Sequence, residues 1–345
     1  MSRIRTSEKT ATVADLVASE WPCAAEAPDL GRQTQLPTSW CRALVLARLR
    51  RIAKGRLSLV EEGRQWRVGE QARRDRTGTL VVRDPRFYRM AVWGGDVGAA
   101  EAYLRGYWDS SDLAAMMQVF ADNLSVLQSL QGPAQRLRRP WSRMIHWLQR
   151  NSLAGSRRNI AAHYDLSNEF FGLWLDRTMT YSSGIFPRDD ATLEEASLEK
   201  YDRMCRRLNL QPGDHVLEIG TGWGGFAEHA ASRYGCRVTT TTISEQQYAY
   251  AQRRLQAASL DQRVCLLKQD YRTLTGVYDK IVSIEMIEAV GEKYLDGYFR
   301  KCCQLLKPEG AMMLQSIIMP DSRYNAYRVS SDFIQTYIFP GGHLP

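Results

Sequence analysis

The chain has 345 residues, of which 44% are hydrophobic, so it is long enough for two domains that each bury a core. Its formal net charge of +8 favours an anionic partner such as nucleic acid, a membrane surface or an acidic metabolite. No apolar run approaches the roughly 20 residues that span a bilayer, and the N-terminus lacks a signal-peptide core. The seven cysteines have no C-x-x-C spacing and the five histidines no metal-ligand spacing, so we predict a cytoplasmic protein with reduced thiols and no metal site.

The first half of the chain is predicted to form a small α+β domain. Residues 1–38 are polar and weakly patterned, which indicates a loosely ordered N-terminus. A basic amphipathic helix is predicted over 36–55, followed by strand-like runs in "RLSLVE", "QWRVG", "GTLVVRD" and "RMAVW". Helical patterns follow in "VGAAEAYLRGYWD" and "SDLAAMMQVFADNLSVLQSL". Together these elements predict an N-terminal α+β domain over 39–130.

Residues 131–160 mix arginine with tryptophan and isolated apolar residues, which is typical of a basic linker. One interpretation is a solvated linker helix. Another is an interfacial segment, in which arginines meet lipid phosphates while tryptophans enter the headgroup zone. No DNA- or RNA-binding motif accompanies the charge, so we predict no nucleic-acid partner.

The second half of the chain, residues 161–345, alternates between strand-like and helical patterns. Strands are predicted in "DHVLEIG", "CRVTTTTIS", "RVCLLKQD", "YDKIVSIEM" and "GAMMLQSIIM". Helices are predicted in "FAEHAASRYG", "EQQYAYAQRRLQAA" and "EKYLDGYFRKCCQLLK". This alternation predicts an α/β fold with a parallel, doubly wound sheet, whose ligands bind at the carboxyl ends of the strands.

The segment "VLEIGTGWGGFAEHA" ends the first of these strands and begins a helix. Gly220, Gly222 and Gly225 match G-x-G-x-x-G, which alone is a weak signal for a dinucleotide site. A simpler interpretation is that the glycines only permit a tight turn. Glu218 at the strand tip favours S-adenosylmethionine (SAM), because an acid at this position can meet the methionyl amino group. The second strand ends in "TTTTIS", which has no carboxylate for a dinucleotide ribose.

Five motifs occur in order along this half of the chain. They are "AAHYDLSNEFFGLWLDRTMTYSSGIF", "LEIGTGWGGFA", "TTISEQQ", "IVSIEMIEAVGEKY" and "YIFPGGHLP". Together they resemble the cyclopropane-fatty-acyl-phospholipid synthases, including the mycolic acid cyclopropane synthases. The resemblance covers roughly 160–345, and "GAAEAYLRGYWDSSDLAAMM" extends it into the N-terminal domain, for which it implies association with lipid.

The resemblance implies a class I, Rossmann-like methyltransferase that moves the SAM methyl group onto the double bond of an unsaturated acyl chain in a membrane phospholipid. The product is expected to be a cyclopropane or, since the base site is altered, a methyl- or methylene-branched chain. The resemblance also implies a protein that is peripheral to the inner face of the membrane, and it allows a homodimer. Family members continue past "FPGGHLP", so we also expect the chain to end early, without the last strands of the domain.

The resemblance also implies a SAM site, residue by residue. Tyr181 and Ser182 are expected near the methionyl end, the residues after the second strand near the ribose, and those after the third strand beside the adenine. The predicted cofactor-binding residues are Tyr181, Ser182, Glu218, Gly220, Thr221, Gly222, Trp223, Gly224, Thr242, Ile243, Ser244, Gln247, Asp270 and Tyr271. The family often has tryptophan where Tyr271 stands.

The predicted catalytic residues are Tyr181, Ser183, Glu285, Glu288 and Gln315. In the resembled family a bound bicarbonate is thought to take the final proton, held by a cysteine, a glutamate, a histidine and a tyrosine. Here Ser183 stands at the cysteine position, Gln315 at the histidine position and Glu285 at a position usually held by glycine. If Glu285 and Glu288 share a helical face, one pKa rises and one of them can act as base without bicarbonate. The alternative is a solvated pair of glutamates at a helix start.

The aromatic residues between Tyr164 and Phe186 are predicted to wall an acyl channel above the methyl donor, because aromatic faces stabilise a cation on the alkyl chain. Ordinary core packing is the alternative for Phe170, Phe171 and Trp174. Three other functions stay open: methyl transfer to a small molecule, a catalytically impaired SAM- or lipid-binding homologue, and a nicotinamide-dependent dehydrogenase.

Overall fold

The computed structural model describes residues 37–69, 76–124, 167–328 and 332–345. The chain divides into two compact units, Met1–Arg143 and Met144–Pro345, and this boundary falls within the predicted linker. Residues 1–36 and the linker itself, with its predicted lipid contacts, lie outside the described residues. Of the helices that the structure describes, none combines the length and hydropathy needed to cross a bilayer.

The first unit contains a four-stranded sheet in the order β2-β1-β3-β4. Its elements are α1 (Thr38–Leu49), β1 (Arg56–Glu61), β2 (Arg64–Val68), β3 (Thr77–Val82), α2 (Arg86–Leu104), β4 (Trp108–Asp109) and α3 (Leu113–Asp122). β1 pairs with β3 in parallel and with β2 antiparallel. Alternate residues of β1, Leu57 and Leu59, enter one core together with the buried faces of the helices.

The predicted strand "RMAVW" is wrong, because these residues lie within α2. A short apolar run suits a buried helix as well as a strand, and periodicity alone does not separate them. Gly95, with a φ of 63°, kinks this helix, and the part of the helix after the kink ends at Leu104. Trp108 and Asp109, predicted as the end of a helix, instead pair with β3 as the short strand β4.

The second unit is built on five parallel strands in the order β7-β6-β5-β8-β9. Its helices and strands are α4 (Asn168–Gly172), α5 (Leu193–Arg207), β5 (His215–Ile219), α6 (Gly225–Arg233), β6 (Arg237–Thr242), α7 (Glu245–Ala257), β7 (Val264–Lys268), β8 (Tyr278–Ile284), α8 (Leu295–Leu305), β9 (Leu306–Gln315) and α9 (Asp321–Tyr327). The order reverses on either side of β5, which is the arrangement of a doubly wound sheet. The predicted parallel sheet is confirmed.

Both faces of this sheet are covered. Val216 of β5 joins a core cluster with α5, α6 and α7, whereas Leu217 and Ile219 join a second cluster with α8. Successive side chains of a strand point to opposite faces, so one strand supplies both cores. The carboxyl ends of all five strands therefore form the open edge where a ligand can reach the sheet.

The helix α5 was missed in the sequence, although a signal for its start is present. Thr192 and Glu195 form a capping box, in which the Thr192 side chain accepts from the Glu195 backbone N–H and the Glu195 carboxylate accepts from that of Thr192. The T-x-x-E pattern is the known sequence signature of such a start. Lys200 and Tyr201 of this helix hydrogen-bond to Ser182 and Thr180, so α5 contacts the segment that carries Tyr181.

Candidate functional site

The glycine-rich turn follows β5 at the carboxyl edge of the sheet. Gly220, Gly222 and Gly224 have φ values of 101°, 52° and 87°, a region that residues with a Cβ adopt only with strain. A Cβ on Gly222 would meet no atom within 4 Å, whereas one on Gly225 would lie 2.7 Å from the Tyr201 hydroxyl. Gly222 therefore borders open space at the edge, and Gly225 is required by packing.

Glu218 lies at the tip of β5 and is 2% exposed. The Thr240 hydroxyl donates to its Oε2 at 2.5 Å, and the same hydroxyl is 2.7 Å from that of Thr221. Burial raises the pKa of Glu218 to about 8, against the smaller opposing effect of the Thr240 hydrogen bond. A carboxylate buried without a cation is costly, so this site favours a positively charged ligand group.

The residues after β6 form a buried polar cluster. The Thr242 hydroxyl donates to Gln247 Oε1 at 3.0 Å, and Ser244 accepts from the Gln247 backbone N–H as the N-cap of α7. Ile243 lies between Thr242 and Ser244 in the sequence and is only partly buried. The predicted ribose-side residues are thus brought together at one strand end.

After β7, Asp270 and Tyr271 also reach the edge. The Asp270 carboxylate accepts from Arg272 Nε at 2.9 Å and Nη2 at 2.7 Å, so its charge is paired within the chain. The Tyr271 ring packs edge-on against Tyr298 at 5.3 Å. Of Asp270 and Tyr271, only Tyr271 has a flat aromatic ring, which suits contact with the expected adenine.

The aromatic segment packs on the glycine-rich turn through Trp223. Its indole ring is 4.9 Å from the Phe171 ring, and its Nε1 donates to Asn168 Oδ1 at 2.7 Å. Phe171 is 1% exposed, so core packing accounts for it. Trp174, in contrast, is 47% exposed and lies 5.3 Å from the ring of Tyr181. Tyr164 lies outside the described residues.

The predicted catalytic residues Ser183, Glu285 and Gln315 come together from three separate segments. Glu285 Oε1 accepts from the Ser183 backbone N–H at 3.0 Å, from Ser183 Oγ at 3.1 Å and from Gln315 Nε2 at 2.7 Å. Burial, and then the charge of Glu285, raise the pKa of Tyr181 beside this cluster. A single carboxylate oxygen is therefore held by three donors next to a neutral phenol ring.

The expected helical face shared by Glu285 and Glu288 is wrong. Glu285 has a φ of 46° and precedes a 3₁₀ turn over Ile287–Ala289. Its left-handed conformation explains why glycine suits this position and adds strain for glutamate. Glu288 Oε1 accepts instead from the Ile317 backbone N–H at 2.5 Å. Burial is the main cause that raises the pKa of Glu288, and Glu285 is the smallest contribution to that shift.

A profile of the mycolic acid cyclopropane synthetase family matches residues 151–345, more than half of the chain. The chain belongs to this family. Among curated relatives it is 39% identical over 269 residues to the tuberculostearic acid methyltransferase of Mycobacterium tuberculosis (strain ATCC 25618 / H37Rv), covering 73% of this chain and 60% of the relative. It is 34% identical over 279 residues to the cyclopropane-fatty-acyl-phospholipid synthase of Escherichia coli (strain K12), covering 77% of this chain and 66% of the relative.

Among solved structures, the crystal structure of a mycolic acid cyclopropane synthase complexed with SAH and CTAB is similar to this chain. The TM-score is 0.51 and the sequence identity 35%, with 55% of this chain and 70% of that chain covered. The chain spans 60% to 66% of the length of the two curated relatives above. The fold is thus that of the class I, Rossmann-like methyltransferases, and the cyclopropane synthetase family match covers the whole described site.

Proposed function

We propose that this member of the cyclopropane synthetase family transfers the SAM methyl group to the double bond of unsaturated acyl chains in phospholipids. The observation that carries the proposal is the Glu285 carboxylate, held by Ser183 and Gln315 beside Tyr181 at the carboxyl edge of the sheet. This edge offers a place for a cationic methyl donor and a base in one site.

The residues present fit SAM. Glu218 is a buried carboxyl with no ion pair among the described residues, and the amino group of the methionyl part supplies a cation. The open space at Gly222 allows a ligand to approach the backbone closely. When bound, SAM supplies a methyl group on a positively charged sulfur. The same donor is consistent with the solved relative complexed with SAH.

Methyl transfer to an alkene forms one carbon–carbon bond, breaks the sulfur–methyl bond and leaves positive charge on the alkyl chain. Loss of a proton from the transferred methyl closes a cyclopropane ring. Loss of that proton after a hydride shift leaves a methylene branch, which a separate two-electron reduction converts to a methyl branch. The Tyr181 ring stabilises the cation through its face, and Glu285 accepts the proton.

Bicarbonate does not fit this site in the way that the family resemblance implies. The Ser183 and Gln315 donors that would hold the anion are occupied by Glu285 Oε1. A second anion there would meet the charge of Glu285 at close range. We therefore propose that a carboxylate of the chain itself takes the place of the bicarbonate oxygen, and that Glu288 fixes the Ile317 backbone beside it.

Apolar side chains around the cluster support an acyl acceptor. Trp174 is 47% exposed beside Tyr181, and Ile317 and Ile318 are 50% and 72% exposed after the end of β9. Small polar acceptors gain little from such surfaces, whereas an alkyl chain gains about 0.8 kcal/mol per buried CH₂. A phospholipid substrate places the protein at the membrane surface, and the net charge of +8 suits anionic headgroups.

Methyl-labelled SAM and vesicles of dioleoyl phospholipid test the proposal. We expect label in the lipid fraction, with a mass gain of one CH₂ for a ring or a methylene branch. SAM binding without label in lipid would instead indicate an impaired binding homologue, and transfer only to small acceptors would indicate the other methyltransferase function.

A further inference from the structure

Lys200 of α5 is a fully buried lysine that the proposed chemistry does not use. Its side chain is 0% exposed, and its Nζ donates a hydrogen bond to Ser182 Oγ. A buried ammonium is rare unless its charge has a specific role or partner. The neighbouring residue of α5, Tyr201, has its ring 5.3 Å from Nζ.

Two carboxylates face this ammonium from other segments. The charges of Glu285 and Asp176 favour the protonated form of Lys200, while burial, the larger effect, lowers its pKa to about 8. Asp176 Oδ2 is buried and has no hydrogen-bond partner among the described residues. The ammonium is thus enclosed by protein and contacts the Tyr181–Ser183 segment through Ser182.

The segment above Lys200 is fixed tightly on α5. The Ile185 backbone N–H donates to the Ala196 carbonyl at 3.0 Å, and a Cβ on Gly184 would lie 2.8 Å from Ala196 Cβ. The position of Ser182 therefore depends on α5, the helix that carries Lys200.

The bond between Lys200 and Ser182 sets the direction of the serine proton. An ammonium can only donate, so Ser182 Oγ accepts from it and must direct its own O–H elsewhere. Ser182 is partly exposed and Lys200 is not, so a ligand at this edge reaches the serine and not the lysine. A hydroxyl with a positive charge behind it is a strong donor to an anion.

We propose that Lys200 is a positioning residue that orients and polarises Ser182 to bind the methionyl carboxylate of SAM. This inference rests on the proposed function and assigns one half of its cofactor recognition: Glu218 meets the amino group, and Ser182 backed by Lys200 meets the carboxylate. The two ends of the amino acid part are thereby distinguished by charge.

The test compares two ligands that differ in the amino acid part. S-adenosylhomocysteine carries the α-carboxylate and the α-amino group, and 5′-methylthioadenosine lacks both of them. Calorimetry should find that Lys200→Met weakens S-adenosylhomocysteine binding by about ten- to hundredfold, with the affinity for 5′-methylthioadenosine unchanged. Ser182→Ala should give the same selective loss, and the double variant should lose little more than either single one.

Lys307→Met is the matched control, because Lys307 is exposed and pairs with Asp279 at the opposite end of the sheet. It should leave both affinities unchanged. If Lys200→Met does not fold, Ser182→Ala alone carries the test. Equal losses for both ligands, or no loss for S-adenosylhomocysteine, would overturn the inference; the latter would point to a lipid phosphate as the anion. If the unaltered protein binds neither ligand, the proposed function fails as well.

A pH series gives a second readout. The ammonium facing Asp176 and Glu285 is charged below pH 8, and a bound carboxylate raises its pKa further. The ratio of the S-adenosylhomocysteine affinity of the unaltered protein to that of Lys200→Met should therefore be largest below about pH 8 and fall above it, because the titration of Glu218 near pH 8 is common to both proteins. Identical pH profiles for the two proteins would contradict the role of Lys200.

Discussion

Replacement of Glu285 by glutamine should remove the proposed base while keeping the shape of the site. The amide oxygen can still accept from Ser183 and Gln315, which now donate to Glu285 Oε1 at 2.7 to 3.1 Å. An amide takes no proton, and a positioned base contributes roughly 10²- to 10⁴-fold to a rate. We expect transfer to fall by that factor, about 3–5 kcal/mol in the barrier, with little change in SAM affinity.

Replacement of Glu285 by glycine sharpens the same test. Relief of the left-handed conformation at φ 46° returns about 1 kcal/mol, and each hydrogen bond that is lost costs about 1 kcal/mol. Three such bonds are lost, so the free energy of unfolding should fall by about 2 kcal/mol in net, and we expect the protein still to fold. Its Ser183 and Gln315 donors would be open to an external anion.

The assay is transfer of labelled methyl to dioleoyl phospholipid in carbonate-free buffer, with and without added bicarbonate. The rate of the unaltered protein should not depend on bicarbonate, and Glu285→Gln should keep its low rate. Glu285→Gly should regain part of the rate when bicarbonate is added. Glu309→Gln, at an exposed site near the start of β9, is the control. Full activity of Glu285→Gln, or a requirement of the unaltered protein for bicarbonate, would refute the reasoning.

The remaining predictions concern the cofactor site, the second glutamate and the helix beneath. Gly222→Val should abolish SAM binding, because valine is strained at φ 52° and would fill the space beside the turn; unchanged calorimetric affinity would contradict this. Glu218→Gln should weaken SAM binding but raise the melting temperature of the ligand-free protein. The pKa of Glu218 is about 8 in the folded protein, above its value in the unfolded chain, so ionisation of Glu218 disfavours the fold. The gain in melting temperature should therefore grow as the pH rises from 5 to 8. A pH-independent difference in melting temperature would exclude that cause. Glu288→Gln should lower transfer with SAM affinity kept, and an undiminished rate would remove Glu288 from the site. Thr192→Ala should cost about 1 kcal/mol of unfolding free energy in a denaturant titration, and no measurable loss would mean that the capping box contributes nothing.

The parallel sheet was predictable because strand-like runs alternate with helical patterns along the second half of the chain. β5 to β8 lie within the predicted segments, and β9 begins four residues earlier than predicted, since Leu306 pairs with Tyr278. The helix α5 was hidden by its composition, as charged residues outnumber apolar ones and only the Thr192 capping box marks its start. In the first unit, "RMAVW" was predicted as a strand but is helical, because packing against the rest of the unit decides the secondary structure of so short an apolar run.

Only the part of the site that lies in local sequence motifs could be predicted. The strand ends that carry Glu218, Gly222 and Gln315 follow from the rule that ligands lie at the carboxyl edge of a parallel sheet. The contact between Glu285 and Ser183 spans 102 positions and depends on a left-handed backbone, which no local pattern reveals. Lys200 was missed for the same reason, since its burial depends on a loop that folds back over α5.

The central claim is that a methyl group from SAM becomes covalently bound to an acyl chain with a carboxylate of this chain as the base. Mass spectrometry of dioleoyl phospholipid vesicles incubated with the protein and ¹³C-methyl SAM in carbonate-free buffer tests it most directly. The account predicts that the unaltered protein adds one labelled CH₂ to each modified acyl chain, and that Glu285→Gln labels the lipid roughly 10²- to 10⁴-fold more slowly. Unlabelled lipid with the unaltered protein, or equal labelling by both proteins, would contradict it.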